Sequence, residues 1–251
     1  IFKFFFMCYQ AFFYAKLMEK PIGEMVVYQF EDDTLVLHND LYQINMAESY
    51  WNDGIHERMA VFDLYFRNMP FDSGYAVFNG LKRVIDYVNS FQFSESDIDY
   101  LKSIGYQQDF LSYLKNLKFT GNIRSMQEGE LCFGNEPLLR VEAPLIQAQL
   151  IETMLLNIVN FHTLITTKAS RIRQVAHEDM LMEFGTRRAQ EADAALWGAR
   201  AAYIGGFNST SNVRAGKLFG IPVSGTHAHA MVQTYGDEYI AFKKYAERHK
   251  D

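Results

Sequence analysis

Residues 205–229, GGFNSTSNVRAGKLFGIPVSGTHAH, concentrate in one stretch the residue types that handle phosphate. A Gly205-Gly206 pair leads into the hydroxyl side chains of Ser209, Thr210 and Ser211. A short apolar segment, Ile221-Pro222-Val223, then runs into Ser224-Gly225-Thr226-His227-Ala228-His229. Small residues at a strand-to-helix turn let backbone N–H groups approach a ligand closely, and the helix start that follows favours anions. A histidine held there can accept or pass on a phosphoryl group, because imidazole is nucleophilic near neutral pH. A plain connecting loop uses the same small residues, so the pattern alone leaves two readings, a phosphate-handling turn and a structural one.

Further blocks narrow the choice. Residues 183–190 read EFGTRRAQ and residues 37–46 read LHNDLYQINM, with Met69-Pro70-Phe71, Gly74-Tyr75-Ala76, Glu128-Gly129-Glu130, Asn135-Glu136-Pro137-Leu138 and residues 152–157, ETMLLN, between them. In this order and spacing they resemble the nicotinate phosphoribosyltransferase family of type II phosphoribosyltransferases, from about Leu35 to Asp251.

The resemblance implies roles for individual residues. His229 matches the family's catalytic phosphoacceptor, phosphorylated by ATP during turnover, with Gly225 and Thr226 as donors to an anion beside it. Ala230 stands where many relatives have serine, which removes one hydroxyl but not the phosphoacceptor. Arg187 reads as the ligand of a substrate carboxylate, because a guanidinium grips two oxygens in parallel where lysine cannot. The bland alternative for Arg187-Arg188 is a surface ion pair. Phe184 would stack on the pyridine ring, and Tyr42 would cover the opposite ring face from a second subunit. Ser211 is neutral where nicotinamide-specific relatives carry an aspartate, which favours nicotinate, since a carboxylate there would repel the acid. Glu183 is expected as a supporting partner that fixes an arginine, with a solvated carboxylate as the alternative. Asn212 and Thr210 are pocket donors or helix caps. His227 and His38, His56, His162, His177 and His249 read as structural or exposed.

The chain must supply elements to hold these groups. At 251 residues, 49% hydrophobic, it can bury a substantial core in one or two domains. A net charge of −6 with no basic tract argues against nucleic acid or an acidic membrane surface as partner. Cys8 and Cys132 form no metal or disulfide pattern, and the chain reads as cytoplasmic. Residues 1–24 are aromatic and apolar but broken by Lys3, Gln10 and Lys16, too short for a membrane span. They read as a non-native or disordered extension ahead of Met25.

Asn39 or Asp40 can cap a helix carrying Leu41, Ile44 and Ala47. Alternation over residues 60–66 puts Phe62, Leu64 and Phe66 on one strand face. Leu81, Val84, Ile85 and Val88 form a helical stripe, Ser94 with Asp97 caps a further helix, and strands follow over residues 119–141. From Pro144 a long helix carries Leu145, Ala148, Ile151, Leu155 and Val159. Strands over 181–184 and 221–224 then alternate with a helix over 194–204, which argues for parallel strands with crossover helices. The expected fold class is α/β: an N-terminal α+β domain over 25–143, then the first part of an irregular (β/α) barrel over 144–251, its C-terminal half missing. In such a barrel the ligand side is the carboxyl end of each strand, where Phe184, Arg187, Gly225 and Thr226 would lie.

The resemblance implies formation of nicotinate mononucleotide and diphosphate from nicotinate and phosphoribosyl diphosphate in NAD salvage. ATP would be the co-substrate, Mg2+ would accompany the phosphates, and a homodimer would share its sites. Family members are longer than this chain, which therefore reads as a fragment. A quinolinate phosphoribosyltransferase relative would need extra cations for a second carboxylate. A non-catalytic, dimer-forming fragment is the reading from another class.

Overall fold

The computed structural model describes residues 35–249. The segment 1–24, its Met25 boundary and Cys8 lie outside the described residues.

The first helix, α1 (Leu41–Asn52), starts at Asp40, whose backbone is extended and whose side chain makes no capping bond. Asn39 instead donates to the Leu150 carbonyl at 2.6 Å, fixing the entry to α1 against a distant helix. The buried face carries Gln43, Ile44 and Ala47, while Leu41 points outward, against the expected stripe. Strand β1 (Met59–Leu64) follows with Phe62 and Leu64 turned inward, as alternation requires. A short pair of antiparallel strands, β2 (Ala76–Val77) and β4 (Leu131–Cys132), brackets three helices: α2 (Leu81–Asn89), α3 (Glu95–Ser103) and α4 (Gln108–Asn116). In α2 the buried positions are Val84 and Tyr87, whereas Ile85 is 49% exposed. The α3 start forms the expected capping box between Ser94 and Asp97.

Strand β3 (Asn122–Ser125) and β5 (Leu139–Pro144) complete an antiparallel sheet in the order β1-β5-β3. Arg140 on β5 grips Asp63 on β1 with two bonds of 2.7 and 2.8 Å. Without a break, β5 leads into α5 (Leu145–Ala176), 32 residues long. Its first half, Ile146 to Val159, is buried in the same core as β1, β5 and α2–α4. The helix expected to open the second unit therefore also completes the first.

The second half of α5 packs against α6 (Glu191–Ile204), an alanine-rich helix. A seam of threonines on α5 ties it both to α6 and to β2 with the residues that follow it. Thr167 accepts from the Val77 N–H at 2.9 Å, Thr163 accepts from the Asn79 N–H at 3.1 Å, and Thr166 both accepts from Asn79 Nδ2 at 2.7 Å and donates to Ala201 O at 3.1 Å. Each of these three hydroxyls is buried and bonded, so none is left unsatisfied in the apolar helix. Where α6 ends, Gly205 lies so close to α5 that an added Cβ would stand 2.5 Å from Ala169 Cβ.

Past α5, β6 (Met182–Glu183) pairs in parallel with β7 (Ser209–Thr210), and Val223 adds a parallel bridge to Thr210. The sequence expectation of parallel strands with helical crossovers holds, with corrected membership. Ser209-Thr210, read as part of a turn, is a strand, because both residues are buried between β6 and Val223 and take a ladder rather than solvent. The expected strand over 221–224 contracts to one bridge. Helix α7 (Val213–Phe219), not anticipated, follows β7, and α8 (His229–Tyr235) and α9 (Glu238–Arg248) close the described chain. No helix among the described residues is long and apolar enough to cross a membrane.

Candidate active site at three strand ends

The β6–β7–Val223 register brings three carboxyl ends to one edge. Glu183 O accepts from the Ser211 N–H at 2.9 Å, Thr210 O accepts from the Ser224 N–H at 3.0 Å, and Pro222 O accepts from the Thr210 N–H at 3.0 Å. Beyond this ladder emerge Phe184, then Ser211 and Asn212, then Gly225 and Thr226. Parallel strands present their ends together in this way, which is why ligand sites of α/β folds gather there.

From β6 the chain enters a single 3-10 turn, Thr186–Arg188, which carries Arg187. Phe184 is 44% exposed and Arg187 is exposed. Among the described residues neither Arg187 nor Arg188 makes an ion pair. The β7 end is held by Asn212, whose side-chain oxygen accepts from the Ala215 N–H at 3.0 Å and caps α7. The cap uses the oxygen and leaves the amide nitrogen as the group that could donate to a ligand. Thr210, fully buried, donates its hydroxyl to Glu183 Oε2 at 2.6 Å.

Glu183 thus departs from expectation. Its carboxylate holds the Thr210 hydroxyl and the Gly185 N–H, not an arginine. The reason is geometric: both donors lie beside the strand end, within hydrogen-bond reach of the carboxylate. Sequence reasoning missed this contact, although a glycine two residues after a glutamate and a threonine in the same register were its signal.

At the third strand end, Gly225 is open, with nothing within 4 Å of an added Cβ. The Thr226 hydroxyl donates to His227 O at 3.0 Å. His227 is the structural histidine the sequence suggested: its ring lies 4.9 Å from Phe242 and 5.3 Å from Tyr245 of α9. His229 is the first residue of α8 and is exposed. Helix starts leave unpaired N–H groups, and His229 stands at such a start. Among the described residues no group of three or more His, Cys, Asp or Glu is placed to hold a metal ion.

Tyr42 does not join this cluster within the protomer. It is 54% exposed on α1 and lines a cleft of about 470 Å³ with Tyr65, Arg67, Thr153 and Asn157, none of them from the strand ends.

Residues 37–160 match the profile of the nicotinate phosphoribosyltransferase (NAPRTase) N-terminal domain. The chain is 65% identical over 228 residues to nicotinate phosphoribosyltransferase of Bacillus subtilis, covering 90% of this chain and 46% of that one. It is 45% identical over 210 residues to the Caenorhabditis elegans nicotinate phosphoribosyltransferase, covering 81% and 37%. It therefore spans less than half the length of these relatives. Among solved structures, human nicotinic acid phosphoribosyltransferase superposes with a TM-score of 0.74 at 39% identity, over 78% of this chain and 40% of that one. The nicotinate-nucleotide pyrophosphorylase of Pyrococcus furiosus shares the fold, with a TM-score of 0.72 at 22% identity over 89% and 50%. From the matching domain profile and these identities, the chain belongs to the nicotinate phosphoribosyltransferase family.

Proposed function

We propose that the complete protein is a cytoplasmic nicotinate phosphoribosyltransferase, joining nicotinate to phosphoribosyl diphosphate with ATP hydrolysis, and that residues 144–251 begin its (β/α) barrel. The observation that carries this reading is the unpaired Arg187 beside exposed Phe184 at the β6 end, sharing one edge with Ser211 and with Gly225 to His229. A planar ring bearing one carboxylate fits that set. Arg187 takes both carboxylate oxygens, Phe184 offers a stacking face, and neutral Ser211 adds no repulsion.

In the reaction the pyridine nitrogen attacks C1′ of the donor as the C1′–diphosphate bond breaks. The ring nitrogen carries a free lone pair, so no general base is required, and the residues act by orientation. His229 at the α8 start would take the γ-phosphoryl of ATP on an imidazole nitrogen as the bond from the bridging oxygen to the γ-phosphorus breaks and ADP leaves, and water would later release the phosphate, with the Gly225-Thr226 turn beside it as anion donor. Magnesium enters on this reading with the diphosphate and ATP as part of the substrates. The Tyr42 cleft on α1 is the surface that would close over a neighbour's ring in a homodimer with two equivalent shared sites.

The test is Arg187→Lys in the complete enzyme. Charge stays but the bidentate fork is lost, so KM for nicotinate should rise about tenfold or more while that for the donor holds, the worth of one charge-assisted hydrogen bond. An unchanged nicotinate KM removes Arg187 from the pocket, and turnover of quinolinate in place of nicotinate removes the substrate reading.

A further inference from the structure

The Glu183 carboxylate bridges two of the three strand ends, and its surroundings are built for that bridge. One oxygen takes the hydroxyl of Thr210, 2.6 Å away on β7, and the other takes the Gly185 N–H at the start of the Arg187 turn. Thr210 Oγ1 in turn accepts from the Asn212 N–H at 3.0 Å, so the relay reaches the residues flanking Ser211. Gly185 leaves room for the approach: an added Cβ would stand 2.7 Å from Glu183 Oε1, so the end of that side chain would have to shift away, while the Gly185 φ of −86° suits any residue. Thr210 is fully buried, so its hydroxyl has no access to water as an alternative partner.

We infer that Glu183, Gly185 and Thr210 form a positioning relay that sets the spacing between the Phe184–Arg187 turn and the Ser211 strand end, and hence how a ring carboxylate is gripped. This rests on the proposed nicotinate site. The backbone ladder alone ties β6 to β7 only as far as the bond from Ser211 N–H to Glu183 O. Past that bond the Arg187 turn is closed within itself, Arg188 and Ala189 both donating to Gly185 O. The carboxylate relay is what couples Gly185 to the neighbouring strand.

Three variants separate positioning from mere stability. Thr210→Val removes the hydroxyl at nearly constant volume, Thr210→Ser keeps it, and Gly185→Ala displaces only the mobile end of the Glu183 side chain. In the complete enzyme Thr210→Val and Gly185→Ala should raise the nicotinate KM about tenfold with little change in the donor KM, even where Thr210→Val lowers the melting temperature, and Thr210→Ser should keep the wild-type KM. In the 251-residue chain itself, Thr210→Val should speed hydrogen exchange at the Gly185 amide. The inference is overturned by an unchanged nicotinate KM in both variants. It is equally overturned by a uniform loss of stability and every kinetic constant that Thr210→Ser does not repair. If the wild-type enzyme forms no nicotinate mononucleotide, the substrate reading fails on its own. Unaltered exchange at Gly185 in the Thr210→Val chain then overturns the relay, and faster exchange upholds it as the tie between the two strand ends.

Discussion

Arg200→Ala offers the sharpest test of how the two packed regions are joined. Arg200 on α6 reaches Glu128, in the loop before β4, with bonds of 2.6 and 3.2 Å, and both side chains are only 16% exposed. Glu128 Oε1 also accepts the N–H groups of Gly80 and Lys82, each at 3.1 Å, at the start of α2. Burial pushes the Glu128 carboxyl up, but the Arg200 hydrogen bonds, those two amides and the Arg200 charge outweigh it, and the net shift is downward. Removing one partner of a buried pair costs about 3–5 kcal/mol, because the other charge is left uncompensated. Here two amides and a helix start remain, and the pair is not wholly dry, so we expect about 2–3 kcal/mol. At about 2–4 °C per kcal/mol for a chain of this size, the melting temperature should fall by roughly 5–10 °C. Urea denaturation of wild type, Arg200→Ala, Glu128→Gln and the double variant gives the coupling directly. The pH dependence has a defined sign. A carboxyl lowered in the folded state contributes stability above its ordinary value of 4.5, lost as pH falls through the lower folded value, and Arg200→Ala should lack most of that acid-side loss. A cost below about 1 kcal/mol, or one that disappears in high salt as for an exposed pair, would refute the reasoning.

Two further outcomes follow from packing and titration. Gly205→Ala should cost about 1–3 kcal/mol by overpacking, since the new methyl meets Ala169 Cβ at 2.5 Å and Thr166 O at 2.7 Å across the α5–α6 contact, and a neutral urea midpoint would contradict that contact. His162 is buried, which lowers its pKa from 6.5, outweighing the bond between Nδ1 and Ile158 O at 2.7 Å. Its neutral form is the folded one, so stability should be full above 6.5 and decline as pH drops below it, and proton NMR of the ring should give a midpoint under 6.5.

Much of the fold could be read from local pattern. The alternation that turned Phe62 and Leu64 inward, the Ser94–Asp97 cap and the long apolar stripe of α5 are properties of chain neighbours, and all appear where the sequence puts them. The placement of Phe184, Arg187, Gly225 and Thr226 past strand ends was legible too, because a strand-to-helix turn announces itself in glycine and hydroxyl residues. What the sequence could not determine depends on partners far along the chain. Ser209-Thr210 has the composition of a turn and became a strand only because β6 and Val223 supply its ladder. Leu41 and Ile85 fit their helical stripes but face outward, since which face is buried depends on the layer packed against it. The threonines of α5 look like interruptions of an apolar helix until Val77, Asn79 and Ala201 meet them. Glu183, expected on an arginine, found Thr210, 27 residues away. Residue type and spacing fix what a side chain can do chemically, and the tertiary register decides which partner lies within reach of its 3 Å bond.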